Sequence, residues 1–204
     1  MSAPVLYTNP MSRGRIARWM LEEVGTTYET VLVDFDDRAA LIEVNPMGKV
    51  PTLVHDGTVV TETAAICAYL ADAFAHAGLA PPVDSALRGE YYRWLFFGAA
   101  TLEPAAVNRA LGVNVAPEQE RMVGYGSIGR ALDTLEDALT RSEHLVGYGF
   151  TAADLYIGAQ LAWGMEFGTI DRRPVFEAVV ARNAARPAAI RAAGIDDARP
   201  SADS

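Results

Sequence analysis

Cysteine is nearly absent from this chain: 204 residues contain one, Cys67. A single thiol forms no intramolecular disulfide, no Cys-x-x-Cys pair and no multi-cysteine zinc site, which excludes a disulfide scaffold and a dithiol redox enzyme. Basic charge is scarce too. Seventeen Lys and Arg stand against 26 Asp and Glu, for a formal net charge of −9 at pH 7, and Lys49 is the one lysine. Capture of a phosphate backbone needs clustered cations, so nucleic acid is not an expected partner. Long apolar runs are missing: no stretch approaches the roughly 20 residues of a membrane span, and Met1 to Thr8 lacks the basic start and apolar run of a signal peptide. The expected location is the cytoplasm, away from membranes.

What is present describes a globular chain. Half of the residues are hydrophobic and 21% are charged, an ordinary balance that argues against disorder. The length suits two domains. Pro4 to Thr8 reads as a short buried strand. Ile16, Met20 and Val24 then recur on one face of a helix that opens near Ser12 and ends at Gly25, and Tyr28 to Phe35 is a second apolar run, so a β-α-β unit with parallel strands is predicted. Past Arg38 to Val44, the segment Pro51 to Thr61 holds two short strands about Asp56-Gly57, a dipeptide suited to a tight hairpin. Glu62 to Ala75 follows as a helix with Ile66, Leu70 and Phe74 in line. Two parallel strands followed by a hairpin is the thioredoxin plan.

The Gly- and Pro-rich stretch 77–84 reads as a linker, which makes residues 1–76 the first domain. Residues 85–204 are predicted to be all helical, with helices near 85–111, 118–141, 152–165 and 175–185.

Two constellations carry chemistry. In Asn45-Pro46-Met47-Gly48-Lys49-Val50-Pro51 a proline stands directly before a strand. In a thioredoxin-like fold Pro51 is expected to be cis, leaving the Val50 backbone facing outward to pair with a peptide, while Lys49 offers a cation to a carboxylate. The plainer alternative is a loop with two prolines. In Thr61-Glu62-Thr63-Ala64-Ala65-Ile66 a hydroxyl and a carboxylate open a helix, where free N–H groups and the helix dipole favour an anion. Thr63 suits a carboxylate and Glu62 an ammonium; an ordinary helix cap with an acidic first turn is the alternative. Together the two describe receptors for the amide, carboxylate and amine of a γ-glutamyl peptide.

These segments resemble the glutathione transferase superfamily over nearly the whole chain. The resemblance rests on Leu6-Tyr7-Thr8, the helix from Arg13 ending in Leu21-Glu22-Glu23-Val24-Gly25, the Asn45–Pro51 loop, Glu62 to Ile66, and Phe150-Thr151-Ala152-Ala153-Asp154, which looks like the family's buried capping box. It implies a thioredoxin-like glutathione-binding domain followed by an all-helical one, glutathione as co-substrate, and a homodimer. It also implies a pocket for an apolar electrophile between the domains, with Tyr91, Tyr92, Phe96, Trp163 and Phe167 as candidates. Tyr7, Lys49, Val50, Pro51, Glu62 and Thr63 are the expected binding residues. The thiolate donor differs between classes of the family. Ser12 stands where the serine and cysteine classes place theirs and is assigned that role, with a helix dipole to lower a thiol pKa normally about 8.5; Tyr7, where the tyrosine classes place theirs, is the alternative. Isomerase, dehalogenase and non-catalytic binding functions on the same scaffold stay open. His55, His76 and His144 are isolated from one another and suggest no metal site. Cys67, in an apolar helical run, is expected to be buried and inert, and most acidic residues to lie on solvated faces.

Overall fold

A computed structural model describes residues 2–198. Strand β1 (Val5–Thr8) runs parallel to β2 (Glu29–Leu32) and antiparallel to β3 (Thr52–His55), which pairs with β4 (Thr58–Val60), giving the order β2-β1-β3-β4. This is the expected thioredoxin plan. Leu6 in the middle of β1 and Leu53 in β3 sit opposite each other and are fully buried. Helix α1 (Gly14–Val24) lays Ile16, Ala17, Met20, Leu21 and Val24 into the same core, each large side chain contributing about 1.5–3 kcal/mol by leaving water. It stops at Gly25, whose left-handed backbone lets its N–H bond the Leu21 carbonyl. A short helix α2 (Ala39–Val44) precedes β3, and α3 (Thr63–Ala73) follows β4.

The rest of the described chain is helical. Helix α4 (Leu87–Phe97) runs through a π segment, Gly98–Leu102, into α5 (Glu103–Ala110). Gly98 is there for space: a Cβ would lie 2.6 Å from Cε1 of Tyr156. Helix α6 (Ile128–Arg141) starts later than the 118 expected, because Gly126 has positive φ and Ser127 caps the helix by accepting the Arg130 N–H. Helix α7 (Ala152–Glu166) is buried on every side from Ala152 to Leu161, which is why its sequence shows no polar stripe. The capping box forms as read: Asp154 accepts from the Thr151 N–H at 2.9 Å and hydroxyl at 2.8 Å, and also from the Leu145 N–H at 2.8 Å. Helices α8 (Pro174–Ala184) and α9 (Pro187–Asp197) follow.

The chain divides into two compact units, one of residues up to Leu79 together with those from Ala184 onward, the other of Ala80–Asn183. The reading that gave 85–204 to one helical domain thus differs at α9, which packs on α1 in the first unit. Ion pairs accompany that packing. Arg18 and Asp196, both 1% exposed, meet at 2.8 Å. Around them lie Arg15–Asp197 at 2.6 Å, Arg191–Glu22 at 2.9 Å and Arg186–Glu23 at 2.6 Å. Acidic residues are therefore less uniformly solvated than composition suggests, since Asp154 and Asp196 are both buried.

Candidate functional site

The register of the first sheet decides which loops meet. Because β1 is antiparallel to β3 and β3 to β4, the end of β1, the start of β3 and the end of β4 lie at one edge of the sheet. The Asn9–Arg13 loop, Val50–Pro51 and Glu62–Thr63 leave from that edge. Residues separated by 50 positions in sequence are thus gathered by strand direction alone.

Asn9 organises the first loop. Its side chain donates to the Val33 carbonyl at 2.9 Å, past the end of β2, and accepts from the Met11 N–H at 2.8 Å. Its own carbonyl accepts both the Ser12 N–H at 3.0 Å and the Ser12 hydroxyl at 2.6 Å. Ser12, half-buried, also accepts the Gly14 N–H at 3.0 Å, so it straps the entry to α1 while facing the loop. Tyr7 is half-buried within β1, and its side chain alternates to the face opposite the buried Leu6 and Thr8.

The second loop is built on Asn45. Its amide donates to the Lys49 carbonyl and to the Thr52 hydroxyl, each at 3.0 Å, and its Oδ1 accepts the Met47 N–H at 3.1 Å. Gly48 takes the positive φ that closes the turn. The Val50–Pro51 peptide is cis, Pro51 is buried, and the Lys49 side chain is exposed.

The third segment departs from an ordinary cap. Glu62 occupies the N-cap position with φ 64 and ψ 117, a region a non-glycine residue enters at a cost of about 1–3 kcal/mol, and no side chain caps α3. The first intrahelical bond runs from the Ile66 N–H to the Glu62 carbonyl at 2.9 Å. Ahead of it the N–H groups of Thr63, Ala64 and Ala65 start the helix, the arrangement that receives anions. Thr63 is buried and Glu62 is exposed.

The sequence alone assigns Asn45 no role and does not single out Asn9. The signal for both was a short amide side chain beside proline in a loop, which is common enough to be silent. Of the aromatic candidates for an acceptor pocket, Tyr91 is fully buried in the helical core, Trp163 is half-buried, and Tyr92, Phe96 and Phe167 are exposed. His55 is buried against the Tyr69 hydroxyl at 2.8 Å and stacks on Phe74. Among the described residues no three His, Cys, Asp or Glu side chains group as a metal site, and no helix is long and apolar enough to cross a membrane.

Cys67 is fully buried in α3, and burial alone pushes its thiol up to about 12. The folded chain therefore keeps a proton that the unfolded chain releases near pH 8.5, and stability falls by about 1.4 kcal/mol per pH unit from there toward 12. Unfolding free energies from urea titrations at pH 8 and pH 10 should differ by about 2 kcal/mol more for the parent than for Cys67→Ala, which cannot titrate. Equal pH dependence in the two proteins would contradict this.

Comparison with known proteins gives a consistent picture. Residues 4–72 match the family model "Glutathione S-transferase, N-terminal domain". The chain is 31% identical over 167 residues to the glutathione S-transferase GstA of Escherichia coli O157:H7, covering 78% of this chain and 81% of that protein. A glutathione S-transferase 3 of Schizosaccharomyces pombe is 31% identical over 168 residues, covering 74% and 69%. Among solved structures, a glutathione transferase from Methylococcus capsulatus superposes with a TM-score of 0.80 at 30% identity, covering 96% of this chain and 99% of that one. A sphingomonad glutathione S-transferase complexed with glutathione gives 0.80 at 30% identity, covering 96% and 100%.

Proposed function

The chain belongs to the glutathione S-transferase family, and on that footing we propose that it is a glutathione transferase whose first unit binds the tripeptide along the sheet edge. The observation that carries the reading is the uncapped start of α3 beside Thr63, at the same edge as Ser12 and the cis Val50–Pro51 peptide. The N–H groups and Thr63 hydroxyl receive the γ-glutamyl carboxylate, Glu62 takes its ammonium, and the Val50 backbone pairs with the peptide. Lys49 serves the glycyl carboxylate, and Tyr7 flanks the tripeptide from β1.

The thiol proton leaves to solvent, and the Ser12 hydroxyl donates a hydrogen bond to the sulfur, holding it as thiolate at the positive end of α1. The thiolate attacks an electrophilic carbon, a C–S bond forms and the leaving group departs with its electron pair. Positioning and anion stabilisation supply the catalysis. An apolar acceptor suits Met11, which adjoins Ser12 and is 67% exposed. We place the protein in the cytoplasm as a homodimer, the commonest closed assembly.

Calorimetry with reduced glutathione tests this. Saturable binding is expected, and Thr63→Ala should weaken it about 10- to 100-fold, the loss of one hydrogen bond to a charged group. Absence of binding at millimolar glutathione would overturn the reading.

A further inference from the structure

Thr8 closes β1 one residue before the loop that carries Ser12, and it is completely buried. Its hydroxyl is one of the few buried polar atoms with no hydrogen-bond partner among the described residues. Burying an unpaired hydroxyl costs stability that an isosteric valine would not. Its surroundings give it a use. A Cβ placed on Gly14 would lie 1.8 Å from Thr8 Oγ1 and 2.9 Å from Ser12 Oγ. The Thr8 hydroxyl thus occupies the place a residue-14 side chain would take, which only glycine leaves to it, and Ser12 Oγ borders the same place.

Ser12 has one proton and two lone pairs to dispose of. In the ligand-free chain the proton goes to the Asn9 carbonyl at 2.6 Å, and one lone pair takes the Gly14 N–H at 3.0 Å. Donation to a thiol sulfur requires that proton to leave Asn9. The Asn9 carbonyl keeps the Ser12 N–H at 3.0 Å, so it is not stranded. Ser12 Oγ, released from its short contact, is free to turn its unused second lone pair toward Thr8, which holds the unspent proton beside Gly14. A donor onto Ser12 Oγ polarises it and strengthens the bond it gives in turn.

We propose that Thr8 is a positioning residue for Ser12, donating to Ser12 Oγ when the serine turns its proton from the Asn9 carbonyl to the glutathione sulfur. The inference rests on Ser12 being the thiolate donor. It makes Thr8 a residue whose hydroxyl is idle in the free protein and engaged in the complex.

The test is the thiol pKa of bound glutathione, read as thiolate absorbance against pH, together with ligand-free thermal melts. Thr8→Val should raise that pKa by about 0.1–0.3 unit, roughly a 1.3- to 2-fold loss of thiolate below the pKa, the 10–30% that cooperativity supplies to a Ser12 shift of about one unit. Its melting temperature should equal or exceed the parent's, and Thr8→Ser should titrate like the parent. In a Ser12→Ala background Thr8→Val should add nothing. A parent-like titration of Thr8→Val, while Ser12→Ala alone shifts the pKa, would overturn the Thr8 role and leave Ser12 standing. A shift that persists without Ser12 would overturn it too, since Thr8 would then act by another route. If Ser12→Ala itself leaves the pKa unmoved, both the serine assignment and this inference fall. Should Thr8→Val not fold, Thr8→Ala removes the same hydroxyl and is read by the same outcomes.

Discussion

Arg18→Ala should melt about 6–20 °C below the parent, the fall that a loss of about 3–5 kcal/mol produces in a chain of this size. The guanidinium and the Asp196 carboxylate are each 1% exposed and 2.8 Å apart. The same guanidinium donates to the Thr30 hydroxyl at 3.1 Å and the Tyr28 hydroxyl at 3.3 Å. Removing it strands a carboxylate in the α1–α9 contact and leaves a cavity besides. Asp196→Ala should cost as much by stranding the cation. Arg15→Ala, whose partner Asp197 is 65% exposed, should cost no more than about 1 kcal/mol. The informative control is Arg18→Met with Asp196→Leu: replacing both charges with apolar groups of similar size should recover most of the loss. Denaturation midpoints with an unchanged urea m-value would locate the effect in the folded state. Equal costs for Arg15→Ala and Arg18→Ala would contradict the account.

Ser12→Ala should raise the thiol pKa of bound glutathione by roughly one to two units, while Tyr7→Phe moves it by less than about half a unit. The proton Ser12 gives to sulfur is withdrawn from the Asn9 carbonyl at 2.6 Å, so the net gain, and hence the shift, belongs at the lower end of that range. Conjugation rates with a small electrophile, measured below the thiol pKa, should fall about 10-fold in Ser12→Ala for the same reason. A large shift from Tyr7→Phe with none from Ser12→Ala would reverse the assignment. If neither variant shifts the pKa, the α1 dipole and backbone amides hold the thiolate and neither hydroxyl does.

What the sequence made legible was whatever leaves a periodic or positional trace. The apolar face of α1 and the Asp56-Gly57 hairpin are written in the spacing of a few residues, and both formed where expected. The loop before β3 was legible through its prolines. The region 118–127 was not: charged residues extend a helical pattern on paper, yet Gly124, Gly126 and the Ser127 cap defer the helix to 128. Helix α9 leaves no apolar stripe because its buried face is Ala188, Ala192 and Asp196, two residues too small to stand out from an alanine-rich background and one charge. Glu62 reads as an ammonium partner, with an ordinary acidic cap as the alternative, and neither reading carries its positive φ. Its left-handed backbone is imposed by the end of β4 and the start of α3 together, a tertiary demand that local propensity cannot express. Thr8, Asn9 and Asn45 were silent for a related reason, since what matters is which atoms they reach across the sheet edge.

The return of α9 to the first unit bears on how the chain is made. During synthesis β1 to α3 emerge before the helical unit, but the helix that meets Arg18 emerges only after the whole of Ala80–Asn183. Until then the nascent first unit carries an arginine that its own sheet neighbours, Tyr28 and Thr30, only partly satisfy. The helical unit, contiguous in sequence, is free to fold in the meantime, so it is expected to mature before the unit that precedes it. A nascent chain stalled short of Pro187 should therefore carry a folded helical unit and a protease-sensitive start.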